Sequence, residues 1–328
     1  MSKILITGGS GFIGTNLVEH YRNLGDEVLN IDLAAPRNSA HSGNWQKTDI
    51  LDNAKLEQIV TEFSPDVIFH MAARTDLNGT DVRGYAANTD GVRNLVMAAR
   101  GVSGLRRIVF ASSMLVCKLG YQPTDENDCN PRTYYGESKV IGEQIVRHEA
   151  GSSLPWTIVR PTSIWGPWFD APYKNFFDAI RKGLYFHPAG VRVERSYGYV
   201  LNSVYQLGML AESDRHIVQS KTFYLADYEP LDLRQWAQVI QQTMQVSPIR
   251  DAPLFVFKCA AIVGDLLKRM GMSSVPMTTF RLNNMRTDVV FDMEHLARIC
   301  GVLPHDTVSG VQATVEWMNR CATSDSSN

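Results

Sequence analysis

The sequence is poor in the features that mark specialised proteins. Its 328 residues hold five cysteines, Cys117, Cys129, Cys259, Cys300 and Cys321, an odd and scattered set with no close pair. Such spacing fits neither a disulfide framework nor a zinc site, so no metal is expected, and a reducing cytoplasm is the expected setting. Neither sign of charge is in excess: 32 basic against 34 acidic residues leave a formal net charge of −2. That balance gives no general attraction to nucleic acid or to an anionic membrane. No segment reaches the roughly 20 apolar residues of a membrane span. The nearest is "PLFVFKCAAIVGDLL" from Pro253, which is too short and holds Lys258 and Asp265. It reads as a buried or interface helix, with a helix lying on a membrane surface as the alternative. Met1 to Lys3 lead straight into a strand-like run with no secretory h-region, and there is no internal repeat.

What is present is the composition of a soluble globular protein, 44% hydrophobic and 20% charged, long enough for one large or two ordinary domains. From residue 3 to about 160, short apolar runs alternate with longer segments of helical periodicity. The runs are "KILIT", "EVLNID", "DVIFHMA", "RRIVFASS" and "WTIVRP". Alternation of this kind predicts an α/β fold, a doubly wound parallel sheet covered by helices on both faces. After Arg160 the texture changes to aromatic and Pro/Gly-rich stretches ("SIWGPWFDAPYKNFF"). Helical patterns follow from Leu233 to Gly271 and from Met293 to Asn319. The expectation is a nucleotide-binding domain over 1–165 and a smaller, mostly helical domain over 166–328. "KTFYLA" (221–226) reads as a strand, so the chain should return to the first domain around 195–226. The polar tail "ATSDSSN" should fray.

"ILITGGSGFIG" places Gly8, Gly9, Gly11 and Gly14 between the first strand and the first helix. A tight turn there needs a positive φ, and a pyrophosphate can then approach bare backbone at a helix N-terminus, where N–H groups and the dipole favour anions. The last glycine lets helix and strand pack closely. The spacing Gly-x-x-Gly-x-x-Gly is a variant of the dinucleotide fingerprint. The backbone of Gly8, Gly11, Phe12, Ile13 and Gly14 is the expected cradle. The second strand ends in Asp32, whose carboxylate can accept from both ribose hydroxyls and would repel a 2′-phosphate, so the cofactor expected is NAD. Asp49, with Ile50 beside it in "KTDI", is either an adenine contact or a helix N-cap.

"TYYGESKVIGE" contains Tyr135 and Lys139 at helical i, i+4 spacing. On one helix face the ammonium would lie near the phenol and lower its pKa, so that the tyrosine can exchange a proton with a substrate hydroxyl near neutral pH. The pair follows "IVFASSM", a run whose C-terminal end should face the cofactor crevice. Ser113 there can donate to the same substrate oxygen; the alternative for Ser112 and Ser113 is a strand-end cap.

These residues carry a resemblance. "TGGSGFIG", "HMAA" (70–73), "NTDGVRNL" (88–95), "SSMLV" (112–116), "YGESK" (135–139) and "VRPTSIWGP" (159–167) come in the order and spacing of an extended short-chain dehydrogenase/reductase. The chain resembles the NAD-dependent epimerase/dehydratase branch with its Rossmann domain, the branch of UDP-galactose 4-epimerase, firmly over the first 170 residues and loosely beyond. The resemblance implies Tyr135 as acid/base, Lys139 on the nicotinamide ribose and Ser113 as the partner of Tyr135. It also implies Ala72 and Asn88 along the cofactor channel, and a homodimer through helices near 81–100 and 134–150. The reaction implied is hydride transfer between a sugar carbon, usually C4, and the nicotinamide.

The positions after the serine pair sort the subtypes of the family that the chain resembles. Sugar 4,6-dehydratases carry an acidic pair there, decarboxylating relatives a glutamate, and epimerase-reductases a cysteine; this chain has Met114 and Leu115. A 4-epimerase acting on a nucleotide-activated sugar is the leading expectation. A nucleotide-sugar 4-dehydrogenase or 4-reductase, a steroid- or flavonoid-like alcohol dehydrogenase and a non-enzymatic NAD(H)-sensing regulator are the alternatives. Arg195 in "RSYGYVLNSV" and Arg286 in "MRTDVVFDMEHL" match positions where nucleotide-sugar enzymes bind diphosphate. The alternative for both is a solvated surface arginine. Three departures bear on the substrate: Cys117 in place of a tyrosine, Asn202 in place of an aspartate, and Ser163 where an asparagine often contacts the substrate phosphates. Trp165, Trp168, Phe169 and Tyr173 could stack on a base or sugar, or plug a core.

Overall fold

The computed structural model describes residues 1–272, 275 and 277–325. The chain divides into two compact units, one of residues 1–164, 198–227 and 292–304, the other of 165–197, 228–291 and 305–328.

The apolar runs of the first unit become strands because each is buried on both faces. Ile4, Leu5 and Ile6 of β1 (Lys3–Thr7) have no exposed surface, and each such side chain stabilises the fold by about 1.5–3 kcal/mol. The other strands are β2 (Glu27–Asp32), β3 (Trp45–Lys47), β4 (Val67–His70), β5 (Arg107–Ala111), β6 (Trp156–Pro161) and β7 (Thr222–Leu225). All pairings in the sheet are parallel, and the order is β7-β6-β5-β4-β1-β2-β3. The order reverses between β1 and β4, which opens a crevice at the carboxyl ends of those strands, where ligands bind in sheets of this kind.

Side chains alternate along each strand, so the sheet feeds two cores. Leu5, Ile68, Ile108, Phe110 and Ile158 meet the apolar stripes of α2 (Asn53–Phe63), α3 (Ala86–Ala99) and α4 (Tyr134–Ile145). On the opposite face Tyr21 of α1 (Phe12–Asn23) packs its ring 5.3 Å from that of Phe69. The 198–227 segment supplies a helix, Val200–Glu212, and the edge strand β7. The 292–304 segment adds the helix Glu294–Cys300, whose last carbonyl accepts from the Tyr205 hydroxyl at 2.8 Å.

The second unit is built on aromatic side chains. Trp165 and Trp236 lie 5.3 Å apart, with Phe177, Phe169 and Phe176 around them. Helices Tyr173–Arg181, Leu233–Met244 and Thr307–Asp325 carry or surround this core. The helix Leu254–Arg269 packs on Thr279–Asn284 through Phe257, Ala261 and Leu282. Gly264 is required there, since a Cβ would collide with the Met277 carbonyl. Of the tail read above as frayed (322–328), the backbone is helical to Asp325, and the remainder lies outside the described residues.

Candidate active site

Of the glycine-rich turn, Gly8 alone has a positive φ, at +73°, and its face lies on the backbone of Ala72, where a Cβ would come within 2.5 Å of the amide nitrogen. Gly14 is needed for a different reason. A Cβ there would collide with the Gly8 carbonyl and Gly9, so the first helical turn could not lie against the loop. The N-cap of α1 is Gly11, which has no side chain to cover the first turn. Phe12, Ile13 and Gly14 therefore present the amino end of the helix dipole at the carboxyl end of β1. This is the arrangement that holds a pyrophosphate.

Asp32 closes this cradle. Its carboxylate accepts from the backbone N–H of Ser10 and of Ala34, both at 3.0 Å, and so ties the glycine turn to the end of β2. Arg37 reaches the same turn by donating to the Ser10 carbonyl at 3.1 Å. Asp49 accepts from the Leu51 N–H at 2.9 Å and does not cap α2. The N-cap is Asp52, which accepts from the Lys55 N–H. The Ile50 side chain is buried against Gly91, while its carbonyl accepts from Asn94. A glycine turn without room for Cβ atoms, an uncapped helix start and a carboxylate at the end of β2 together fit a dinucleotide.

At the end of β4, Thr7 pins two groups. Its hydroxyl lies 2.8 Å from His70 Nδ1 and accepts from the Ala72 N–H at 3.2 Å. Burial, with the Lys139 charge nearby, pushes the His70 pKa down to about 3, so the ring is neutral. Asn88 is wholly buried and works as a staple. Its oxygen accepts from the Arg74 N–H, and its amide donates to the Arg74 carbonyl and to Ser138 Oγ of α4. Its polar atoms thus hold the 72–76 loop against α4.

The remaining three groups converge at the end of β5. Thr133 caps α4 by accepting from the Gly136 N–H at 3.0 Å. From that fixed start, Tyr135, Lys139 and Glu143 lie on one buried helix face. Gly136 lets the helix approach the Leu115 carbonyl. Ser113 caps the short helix Met114–Val116 through the Leu115 N–H, and its hydroxyl is the hydrogen-bonding neighbour that pulls the Tyr135 pKa down. Lys139 donates to the Ala111 carbonyl at 2.8 Å. The lowered phenol pKa read from the sequence is not what the protein without cofactor shows. Burial raises the Tyr135 pKa, and the Ser113 hydrogen bond only partly opposes this. Burial also pulls Lys139 down to about 8, with Glu143 resisting, so its charge is weakened at its own nitrogen.

A cavity of about 10 Å³ lies behind Lys139, lined by His70, Asn88, Ser112 and Glu143 among others. His70 Nε2 and Ser112 Oγ are buried without a hydrogen-bond partner. The volume is about that of one water, and although most of the lining is apolar it includes the residues of these two unsatisfied polar atoms.

The family model for the "NAD dependent epimerase/dehydratase family" matches residues 4–214. The chain belongs to that family. NAD is therefore its cofactor, and the cradle described above is where the chain's own residues would hold it. Among curated relatives, the "N-acetyl-alpha-D-glucosaminyl-diphospho-ditrans,octacis-undecaprenol 4-epimerase" of Escherichia coli O157:H7 is 25% identical over 325 residues, 96% of this chain and 95% of that protein. The 3-beta-hydroxysteroid dehydrogenase of Mycolicibacterium neoaurum is 28% identical over 260 residues, 73% of this chain and 69% of that protein. The UDP-glucose 4-epimerase of Thermotoga maritima, solved with UDP-glucose, superposes with a TM-score of 0.74 at 19% identity, covering 98% of this chain and 99% of that one. The UDP-glucuronic acid 4-epimerase of Bacillus cereus, solved with its sugar nucleotide and NAD, gives 0.73 at 18% identity, covering 97% and 99%. At these identities the solved structures show the shared fold.

The family's variable positions sit as follows. Ser163 is buried at the start of the strand Ser163–Trp165. Cys117 is buried too, its thiol directed at the Asp128 carbonyl at 3.5 Å. Asn202 donates to Asp227 at 2.9 Å, and burial pushes that carboxyl up to about 7. An aspartate at 202 would set two carboxyls against each other, which gives the asparagine a physical reason.

In the second unit, Arg195 and Arg286 lie close along the chain's path, because Arg195 bridges to Val289. Yet Arg195 donates from Nη2 to the carbonyls of Asn284 and Thr287, while its Nε is buried without a partner. Arg286 is exposed. Trp165 and Phe169 are wholly enclosed in the aromatic core, so neither offers a face for stacking.

The sequence reading overlooked the group behind Lys139. Arg160, buried under α4, donates to both carboxylate oxygens of Glu143 at 2.8 and 2.7 Å. The signal was available, since Glu143 follows Lys139 by one helical turn in "SKVIGE" and so shares its buried face.

Proposed function

We propose that the chain oxidises and re-reduces a ring carbon of a nucleotide-activated sugar, acting as a 4-epimerase. The observation that carries this reading is the placement of Tyr135, on the buried face of α4, beside Ser113 at the end of β5, with Met114 and Leu115 following. One proton-transfer group is present, and the two positions after Ser113 hold side chains unable to move a proton. Chemistry confined to one carbon needs no more than that.

Bound on the glycine turn and Asp32, NAD would supply the acceptor and donor of hydride for the carbinol carbon. Tyr135 accepts the hydroxyl proton as the carbonyl forms and gives it back on reduction, while Ser113 orients the same oxygen. In the closed-off protein burial keeps the phenol protonated, the form that reduces a ketone. The ammonium of Lys139, one turn along α4, is the chain's own positive charge for the ionised form. Return of the hydride to the opposite face of the 4-keto sugar inverts the centre. We place the enzyme in the cytoplasm, where its free cysteines stay reduced, and as a homodimer through α3 and α4.

The test is to purify the protein without added cofactor, denature it and identify the released nucleotide by mass spectrometry, then follow a panel of nucleotide sugars by NMR. Near-stoichiometric NAD and interconversion of C4 epimers are the expected results. Tyr135→Phe should lower kcat by about 10²–10⁴. An empty site with net oxidation of an alcohol would reject the epimerase.

A second reading replaces the nucleotide with an apolar carrier, a polyprenyl chain or a steroid skeleton. The use of one Arg195 amino group, Nη2, on two backbone carbonyls favours it, since that group is taken from a fork on a diphosphate.

A further inference from the structure

The helix Leu254–Arg269 does not bury its apolar residues as expected. Among the described residues, seven of the eighteen exposed large hydrophobic side chains fall between 255 and 272. Phe255, Ile262, Val263, Leu266 and Met270 are 66%, 67%, 56%, 57% and 73% exposed. Their spacing of 7, 8, 11 and 15 residues from Phe255 puts them, with Cys259, on one face at 3.6 residues per turn. The opposite side, Phe257, Ala261 and Gly264, is already taken up against Leu282 and Met277. The stripe is therefore surplus to the fold. Five large apolar side chains, each more than half exposed on one helix face, exceed the singly scattered apolar residues usual on a soluble surface.

Charge decides what covers it. Lys258 and Arg269 lie along one edge of the stripe, and Lys268 stands in its last turn; all three are exposed. The helix has one carboxylate, Asp265, and it accepts the Thr279 N–H at 3.1 Å, which draws it toward the neighbouring helix. The face is apolar, and its edge is cationic on balance: Lys258 and Arg269 stand there with the single carboxylate Asp265, which is tied to the Thr279 N–H. A second copy packed on it through a twofold axis would set Lys258 against Arg269 with no second carboxylate on the helix to separate them.

We propose that this helix docks the enzyme on an anionic lipid bilayer. It lies in the interface with Phe255, Ile262, Leu266 and Met270 at the acyl boundary and Lys258 and Arg269 among the headgroups. The net charge of −2 is no obstacle, because the attraction is local to within a Debye length. The docking stands whether the substrate's carrier is a nucleotide or a lipid.

The test is flotation of the full-length enzyme with vesicles of phosphatidylcholine and phosphatidylglycerol (3:1) or of phosphatidylcholine alone. Two variants are compared, Ile262→Glu with Leu266→Glu, and Lys258→Glu with Arg269→Glu. Wild type should float with the anionic vesicles. Binding should be at least tenfold weaker with neutral vesicles, in 0.5 M salt and in either variant, with thermal midpoints and NAD content unchanged. Wild type that stays at the bottom with both vesicle types overturns the proposal. So does equal flotation of all three proteins. A wild-type dimer that Ile262→Glu with Leu266→Glu converts to monomer, without vesicle binding, would assign the face to a second copy.

Discussion

Glu143→Gln tests whether the catalytic helix is held from beneath by charge. Arg160 is 1% exposed and Glu143 5%, and their two hydrogen bonds, at 2.8 and 2.7 Å, make a bidentate pair. Burial works against the Arg160 charge, and Glu143 more than restores it. A glutamine can still accept one of the two bonds, but it turns an N–H₂ toward the guanidinium and leaves a buried cation without its counter-charge. Losing one partner of such a pair costs about 3–5 kcal/mol; we expect about 3 kcal/mol because one acceptor survives. At about 2–4 °C per kcal/mol for domains of 150–250 residues, the melting point should fall by about 6–12 °C. Urea unfolding followed by far-UV circular dichroism reads the loss directly. A double replacement, Glu143→Leu with Arg160→Met, should recover most of it, because the cost lies in the orphaned charge and not in the volume. A loss below about 1 kcal/mol with an unchanged m value, or a double variant no better than the single, would refute the reasoning.

Lys139 has a folded pKa of about 8, below its ordinary value, so between about pH 8 and 10.4 the unfolded chain binds the extra proton and stability rises with pH. Lys139→Met should thus be more stable than wild type at pH 7, by about 1–3 kcal/mol, with the gain vanishing above about pH 10 in paired thermal melts. Asp227 is shifted the other way, up to about 7, so stability should fall as pH rises from about 4 to 7. Asp227→Asn should flatten that slope, and Asn202→Asp should cost about 2 kcal/mol at pH 8 and less at pH 5 in denaturant titrations. Gly14→Ala forces a methyl onto the Gly8 carbonyl, so it should weaken NAD binding at least tenfold and cost about 1–3 kcal/mol, by calorimetry and melting respectively.

The parts of the molecule legible in the sequence are those where one local pattern has one structural outcome. Doubly buried strands such as Ile4–Ile6 and Val67–Phe69 must be continuous apolar runs, and a glycine whose face lies on Ala72 tolerates no side chain. The Tyr135–Lys139 spacing likewise puts both on one helix face. Legibility fails where long-range packing decides. The helical pattern from Met293 to Asn319 is broken at Gly301, with φ +67°, into helices belonging to different units. The pattern from Leu233 to Gly271 is broken by the Arg250–Ala252 strand, which pairs with Phe186–Pro188. Apolar residues in "PLFVFKCAAIVGDLL" could not reveal which of them lack a partner. The Lys139 effect on Tyr135 was misread for a similar reason: helical spacing gives proximity, but burial and the Ala111 carbonyl set the charge.

The substrate question turns on how little of the catalytic trio depends on the carrier. In the proposed reaction Ser113, Tyr135 and Lys139 act on one carbon and its hydroxyl, and that chemistry is the same on a sugar held by a nucleotide, a sugar held by a lipid or a steroid alcohol. Discrimination must come from residues that meet the rest of the substrate. Arg195 carried the expectation of a nucleotide diphosphate, and its Nη2 is engaged by the carbonyls of Asn284 and Thr287, while its Nε is buried without a partner. A nucleotide substrate therefore requires Arg195 to exchange those carbonyls for phosphate oxygens, leaving two acceptors to be satisfied again. An apolar carrier requires no such exchange. If Arg195→Lys, which keeps the charge but loses the fork, changes KM for nucleotide sugars by less than about threefold, the guanidinium serves the fold and the nucleotide reading loses its main residue.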